Sequence, residues 1–223
     1  LGCDDSHVER VSFGDQACVV IHKHLNAPLK QLMDAAAGSG FKVGIASCYR
    51  GFERQQVIWN AKATGTRPVL DEREQPLSIE HLAPSEQVHA ILRWSALPGA
   101  SRHHWGTDFD IYDIGALPAG QPLALTAKEA NTVFADFYTW LDEYLAQQNE
   151  FIRPYFNENK GAVANEPWHL SFLPLASQYE QLYNYEALRT QLVASNIALL
   201  DAVLEQLPYI YERYIAAYFS AGH

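Results

Sequence analysis

"SRHHWGTDFDIYD", residues 101–113, places two adjacent histidines ahead of a run in which carboxylates alternate with large apolar side chains. Strand side chains point alternately to opposite faces, so Asp108, Asp110 and Tyr112 share one side while Phe109 and Ile111 take the other. The apolar side must be core. Two carboxylates facing one space are costly to bury unless a cation or a set of donors meets them. His103 stands seven residues before Asp110, and Gly106 between them permits the tight turn that folds it back to the same space. Imidazole and carboxylate together suit zinc, which takes three protein ligands and keeps a fourth position open where it is catalytic.

A third ligand is offered by "EPWHLSF", residues 166–172, which reads as a short strand whose Pro167 is tolerated only at its start or edge. His169 and Ser171 lie opposite Trp168 and Leu170, so a histidine emerges from an otherwise apolar strand. Glu166, three residues earlier, reaches the same space as a base beside the metal. It would take a proton from a zinc-activated water and pass it to a leaving amine.

Around these blocks, residues 26–40 carry helical apolar spacing ended by Gly-Ser-Gly, and 41–47 alternate as a buried strand. That strand runs into a helix over 48–65 with Phe52, Gln56, Trp59 and Lys62 or Ala63 on one face. Residues 65–83 are charged and turn-rich, which predicts an extended loop or hairpin suited to a lid or subsite wall. A helix is expected over 84–97, and a long amphipathic one over 126–148, with Thr126 as N-cap and Glu129 completing a capping box. Two or three helices follow over 174–219.

The 223 residues, 48% of them hydrophobic, suffice for a substantial core. A net charge of −10, from 16 basic and 26 acidic residues, leaves no basic stripe for nucleic acid. No apolar run approaches the roughly 18 residues of a membrane span. Cys3, Cys18 and Cys48 are odd in number and lack metal-type spacing, which points to free thiols in a reducing, cytoplasmic compartment. The alternative is an exported or lipid-anchored protein, since Cys3 in the opening "LGCDD" could be the remnant of a lipoprotein processing site.

Taken together, these blocks resemble the VanY-type zinc D,D-carboxypeptidases. That group also holds VanX-like dipeptidases and L,D-carboxypeptidases, and shares its metal site with the Hedgehog signalling domain. The family pattern SxHxxGxxxD is met by Ser101, His103, Gly106 and Asp110, and its ExWH by Glu166, Trp168 and His169. Arg50, followed five residues later by Gln55, matches a third block, and the likeness spans roughly residues 27–175.

The resemblance implies zinc held by His103, Asp110 and His169, with Glu166 as catalytic base. It further implies that Arg50 polarises the scissile carbonyl while Gln55 and Ser101 hold the substrate's terminal carboxylate. The substrate would be a peptidoglycan stem peptide or muropeptide ending in D-alanine, cut at a D,D or an L,D bond. The implied fold is α+β: a small antiparallel sheet carries the zinc site and helices flank it, in a core domain over 1–176. The helices over 177–223 are a departure that the family's core does not require, and they read as an extension packed on that core. Asp108 departs from the family, which usually has a small residue there. It reads as an acceptor that orients a ligand histidine or pairs with Arg50, the alternative being a direct metal ligand. His104 reads as pointing elsewhere, as do His7, His22, His24, His81, His89 and His223. Two other functions remain open: a zinc-binding, non-catalytic module of Hedgehog-like fold, and another metal-dependent amidohydrolase.

Overall fold

The computed structural model describes residues 1–14, 17–156 and 160–220, so His223 lies outside the described residues. A hairpin of β1 (Val8–Val11) and β2 (Val19–His22) leads into α1 (Asn26–Gly38), β3 (Val43–Ser47) and α2 (Phe52–Ala63). A second hairpin, β4 (Val69–Leu70) with β5 (Pro76–Leu77), precedes α3 (Pro84–Leu92), a 3₁₀ turn at Arg102–Trp105 and β6 (Asp108–Asp113). There follow α4 (Ala127–Asn131), α5 (Ala135–Ala146), β7 (Phe151–Ile152) and β8 (His169–Phe172), then α6 (Leu173–Leu182), α7 (Tyr185–Val193) and α8 (Leu200–Ile210).

The fold is α+β. Its central sheet runs β3-β6-β8-β7 and is antiparallel at every pairing. Phe109, Ile111 and Leu170 point from one face into a core completed by Leu29 and Leu32 of α1 and by Phe137 and Leu141 of α5. Tyr138 ties α5 to the sheet by donating its hydroxyl to the Ile111 carbonyl at 2.8 Å. A second apolar cluster joins Trp59 of α2 and Val88 and Ile91 of α3 to Leu188 and Leu192 of α7 and Val203 and Leu207 of α8. The helices after residue 176 therefore share a core with α2 and α3.

Several boundaries differ from expectation. The helix read over 126–148 is two, because the β-branched pair Thr132 and Val133 interrupts it and α5 starts afresh to turn Phe137 and Tyr138 inward. Thr126 does accept from the Glu129 N–H at 3.1 Å. The Glu129 carboxylate, however, accepts from Ala124 and Leu125 instead of closing a box on Thr126. The helix begun at Pro84 ends at Leu92, short of 97. The strand read over 166–172 begins only at His169, since Pro167 and Trp168 form a turn in which the His169 N–H donates to the Glu166 carbonyl at 3.2 Å. The expected hairpin within 65–83 is present, whereas the strands at Val8–Val11, Val19–His22 and Phe151–Ile152 had no expectation behind them.

Candidate active site

Register builds the site. Across the antiparallel pair, Asp110 stands opposite His169 and Asp108 opposite Ser171, so all four side chains leave the sheet on the face away from the core. His103 arrives from the 3₁₀ turn, which Gly106 closes at φ 68°. A β-carbon at Gly106 would lie 2.7 Å from Val8 Cγ1 and 2.9 Å from the His22 nitrogen, so this turn needs glycine for conformation and for space.

His169 Nδ1 lies 3.1 Å from Asp110 Oδ1 and His103 Nε2 lies 3.5 Å from Asp110 Oδ2, and one ligand atom from each of the three residues falls within 4.8 Å of the others. Hydrogen bonds select the tautomers. His103 Nδ1 donates to the Asp108 carbonyl at 3.2 Å, which leaves Nε2 as a lone pair. His169 Nε2 donates to Asp108 Oδ1 at 3.0 Å, which turns Nδ1 toward Asp110. Among the described residues, Asp110 Oδ1 and His169 Nδ1 are buried without a hydrogen-bond partner. Two buried electron-pair donors facing each other, joined by a third imidazole nitrogen, fit a divalent cation.

The titration behaviour agrees. Burial lowers His103 to about 4 and keeps it neutral, the form that binds metal. Burial also disfavours charge on His169, but the hydrogen bonds and charges of Asp108 and Asp110 outweigh it and raise the metal-free imidazole to about 10. A cation bound there would take the place of that proton. Glu166 Oε2 lies 3.6 Å from His169 Nδ1, and burial raises this carboxyl to about 7, a range suited to a group that must accept and return a proton.

Asp108 is an orienting acceptor. Besides holding His169, it accepts from the Thr107 hydroxyl at 2.7 Å and the Ser171 hydroxyl at 3.1 Å. Its cationic partner is Arg102, whose Nε reaches Asp108 Oδ1 at 2.7 Å, and the expected pairing with Arg50 is absent among the described contacts. Arg102 is itself shared with Glu180 of α6 at 2.7 Å and with the Ser171 hydroxyl at 2.8 Å. No sequence reading had singled out Arg102 or Glu180. The only available signal was a basic residue within the block SRHHWG and an acid in an amphipathic helix, which is no signal of pairing.

Arg50 and Gln55 lie together but not as expected. Arg50 donates to Gln55 Oε1 at 2.7 Å and to the Ser47 hydroxyl at 2.9 Å, and it lines the cavity beside Glu166. Gln55 has no exposure at all, and its Nε2 donates to the Ala96 carbonyl at 2.6 Å. The amide expected to meet a substrate carboxylate is therefore turned into the protein and off the cavity lining, because the buried face of α2 runs through Phe52, Gln55 and Trp59 and not through Gln56. Ser101 lines the cavity. His104 points away, bonded through Nδ1 to the Arg50 carbonyl and accepting at Nε2 from the Gly99 N–H at 3.0 Å.

The cavity over these groups holds about 270 Å³. Its polar wall is Arg50, Lys62, Ser101, His103, Asp110, Glu166 and His169, and its apolar wall includes Leu70 of the second hairpin, Trp94 and, from the C-terminal helices, Ile210, Tyr214 and Ile215.

Residues 19–175 match the sequence model of VanY, D-alanyl-D-alanine carboxypeptidase. The chain belongs to the VanY family. A D-alanyl-D-alanine carboxypeptidase of Enterococcus faecalis is 28% identical over 171 residues, 76% of this chain and 53% of that protein, so the chain spans about half of that relative. The structure of VanYB in complex with D-alanine-D-alanine superposes with a TM-score of 0.52 at 26% identity, covering 77% of this chain and 82% of that one. A VanY D,D-pentapeptidase variant from a VanB-type resistance cassette, solved in complex with Zn(II), has the same fold, with a TM-score of 0.53 at 22% identity over 91% of this chain and 93% of the other. A VanY-type metallopeptidase fold thus carries the His103, Asp110 and His169 cluster.

Proposed function

We propose that this protein is a zinc carboxypeptidase that hydrolyses the peptide bond before a C-terminal D-alanine in peptidoglycan stem peptides. The observation that carries the reading is the pair of buried, unpartnered atoms Asp110 Oδ1 and His169 Nδ1, 3.1 Å apart and set beside the raised carboxyl of Glu166. Zinc held by His103, Asp110 and His169 would supply a Lewis acid that makes water nucleophilic near neutral pH.

The chain's own groups do the rest. Glu166 takes the proton of the attacking water and returns it to the amine that leaves. Arg50, already held by Gln55 and Ser47 through two of its five N–H groups, keeps others free to meet the oxyanion that develops on the scissile carbonyl. Asp108 keeps His169 in the tautomer that presents Nδ1. A cavity of about 270 Å³ suits the end of a peptide better than its middle, which supports exopeptidase action. The retained Glu166 and Arg50 weigh against a zinc-binding module without catalysis.

Bond preference and compartment belong together in this reading. All three cysteines are free, which supports a reducing compartment, where an L,D activity would serve turnover of tetrapeptides. An exported enzyme would trim D-Ala-D-Ala ends. No helix among the described residues is long and apolar enough to cross a membrane.

The test is to measure zinc by elemental analysis and then D-alanine release from defined penta- and tetrapeptide muropeptides. One zinc per chain and release from at least one of them are expected, and their relative kcat/KM assigns the bond. Protein that holds no divalent metal, or that cleaves C-terminally amidated peptides as fast as free acids, contradicts the assignment.

A further inference from the structure

Lys62 sits on the inner face of α2, seven residues beyond Gln55 and therefore two turns along the same side of the helix. It lines the cavity with Arg50 and Glu166, and both are near enough to act on its charge. Its ammonium has no hydrogen-bond or ion-pair partner among the described residues. An ammonium held half-buried without a partner is unfavourable unless an anion arrives from outside.

The charge balance points the same way. In the cavity wall, Asp110 and Glu166 offset a divalent cation, and Arg102 is already met by Asp108 and Glu180. Arg50 and Lys62 remain as unmatched positive charges. Arg50 is tied toward the scissile bond by Gln55 and Ser47, and Gln55 itself is fully buried, with its amide nitrogen on the Ala96 carbonyl, and does not line the cavity. A peptide ending in a free carboxylate brings one negative charge and must put it somewhere in this small space.

We propose that Lys62, together with the Ser101 hydroxyl, binds the substrate's terminal carboxylate, and that this charge, not Gln55, sets the exopeptidase specificity of the enzyme. The inference rests on the carboxypeptidase reading above. Burial lowers the Lys62 ammonium to about 8, as desolvation without a fixed partner should.

The test compares Lys62→Met, which keeps length and removes charge, with Lys62→Arg, which keeps charge, on free-acid and C-terminally amidated substrates. A charge-assisted hydrogen bond of about 1.5–3 kcal/mol corresponds to roughly 10- to 100-fold. Lys62→Met is expected to raise KM for the free acid by that factor with kcat changed by no more than about threefold, and to leave the poor activity on the amide unaltered. Lys62→Arg should restore much of the loss. An equal loss on both substrates, or no loss on either, overturns the proposal.

Binding gives a readout that needs no turnover. Zinc-loaded Glu166→Gln protein should bind N-acetyl-D-alanyl-D-alanine more tightly than its amide in calorimetry, and adding Lys62→Met should erase the difference. A preference that survives Lys62→Met, or none with Lys62 present, overturns the assignment. If the unmodified protein releases no D-alanine while this preference exists and depends on Lys62, the proposed reaction fails and the carboxylate site stands.

Discussion

Glu166 and Gln55 separate two kinds of residue-scale inference. The role of Glu166 follows from residue type and spacing, and the structure puts its carboxylate 3.6 Å from His169 Nδ1. Glu166→Gln should retain zinc by elemental analysis while lowering kcat by about 100-fold or more, because it removes proton transfer and leaves the His103, Asp110 and His169 cluster intact. Zinc lost together with activity would make Glu166 a ligand. Gln55 was legible as a site residue but not in its orientation, since a one-position rotation of the buried face of α2 decides whether its amide meets the cavity or the Ala96 carbonyl. With Oε1 holding Arg50, its effect reaches substrate through that guanidinium. Gln55→Ala is therefore expected to lower kcat by roughly 10-fold or more with KM nearly unchanged, and steady-state kinetics showing a pure KM effect would restore the direct carboxylate role.

Among the elements, β6 was legible almost residue by residue, because alternation of Asp108, Phe109, Asp110 and Ile111 admits one period only. The turn before it was legible in Gly106. Gly106→Ala should destabilise the protein by about 2 kcal/mol or more, from the left-handed φ of 68° together with contacts at 2.7 Å and 2.9 Å to Val8 and the His22 backbone. Denaturant unfolding measures this loss, and zinc affinity should fall with it, since His103 rides on the same turn. Stability equal to wild type would mean that β1 and β2 give way freely. The helix at 126–148 was misread for a local reason: hydrophobic periodicity persists across Thr132 and Val133 although the backbone does not. The short strands β1, β2 and β7 left no periodic trace, being two to four residues long and stabilised by their partners.

The whole molecule is closed by the C-terminal helices, which the sequence reads as an extension packed on the core. Val203 and Leu207 of α8 are fully buried against Trp59, Val88 and Ile91, and Ile210 and Ile215 belong both to that cluster and to the cavity wall. Glu180 on α6 meets Arg102, which meets Asp108, which orients His169, so the C-terminal half of the chain reaches the metal site through three buried charges. A chain ended after residue 176 should lose cooperative thermal unfolding and protease resistance, since it exposes the second core and leaves Arg102 without one of its carboxylates. A stable, zinc-binding fragment would instead mean that residues 1–176 form an independent domain. The sequence by itself determined the candidate ligands His103, Asp110 and His169, the candidate base Glu166 and the strand that presents the carboxylates, because each stands out by residue type and by spacing within its own short block. Only the tertiary structure decided that Arg102 and Glu180 complete the support of His169, that Gln55 faces inward, that Lys62 lines the cavity and that α8 walls it. Those are contacts between side chains far apart in the chain, and they are set by how α2 and α3 pack with the C-terminal helices beside the sheet and not by any local pattern.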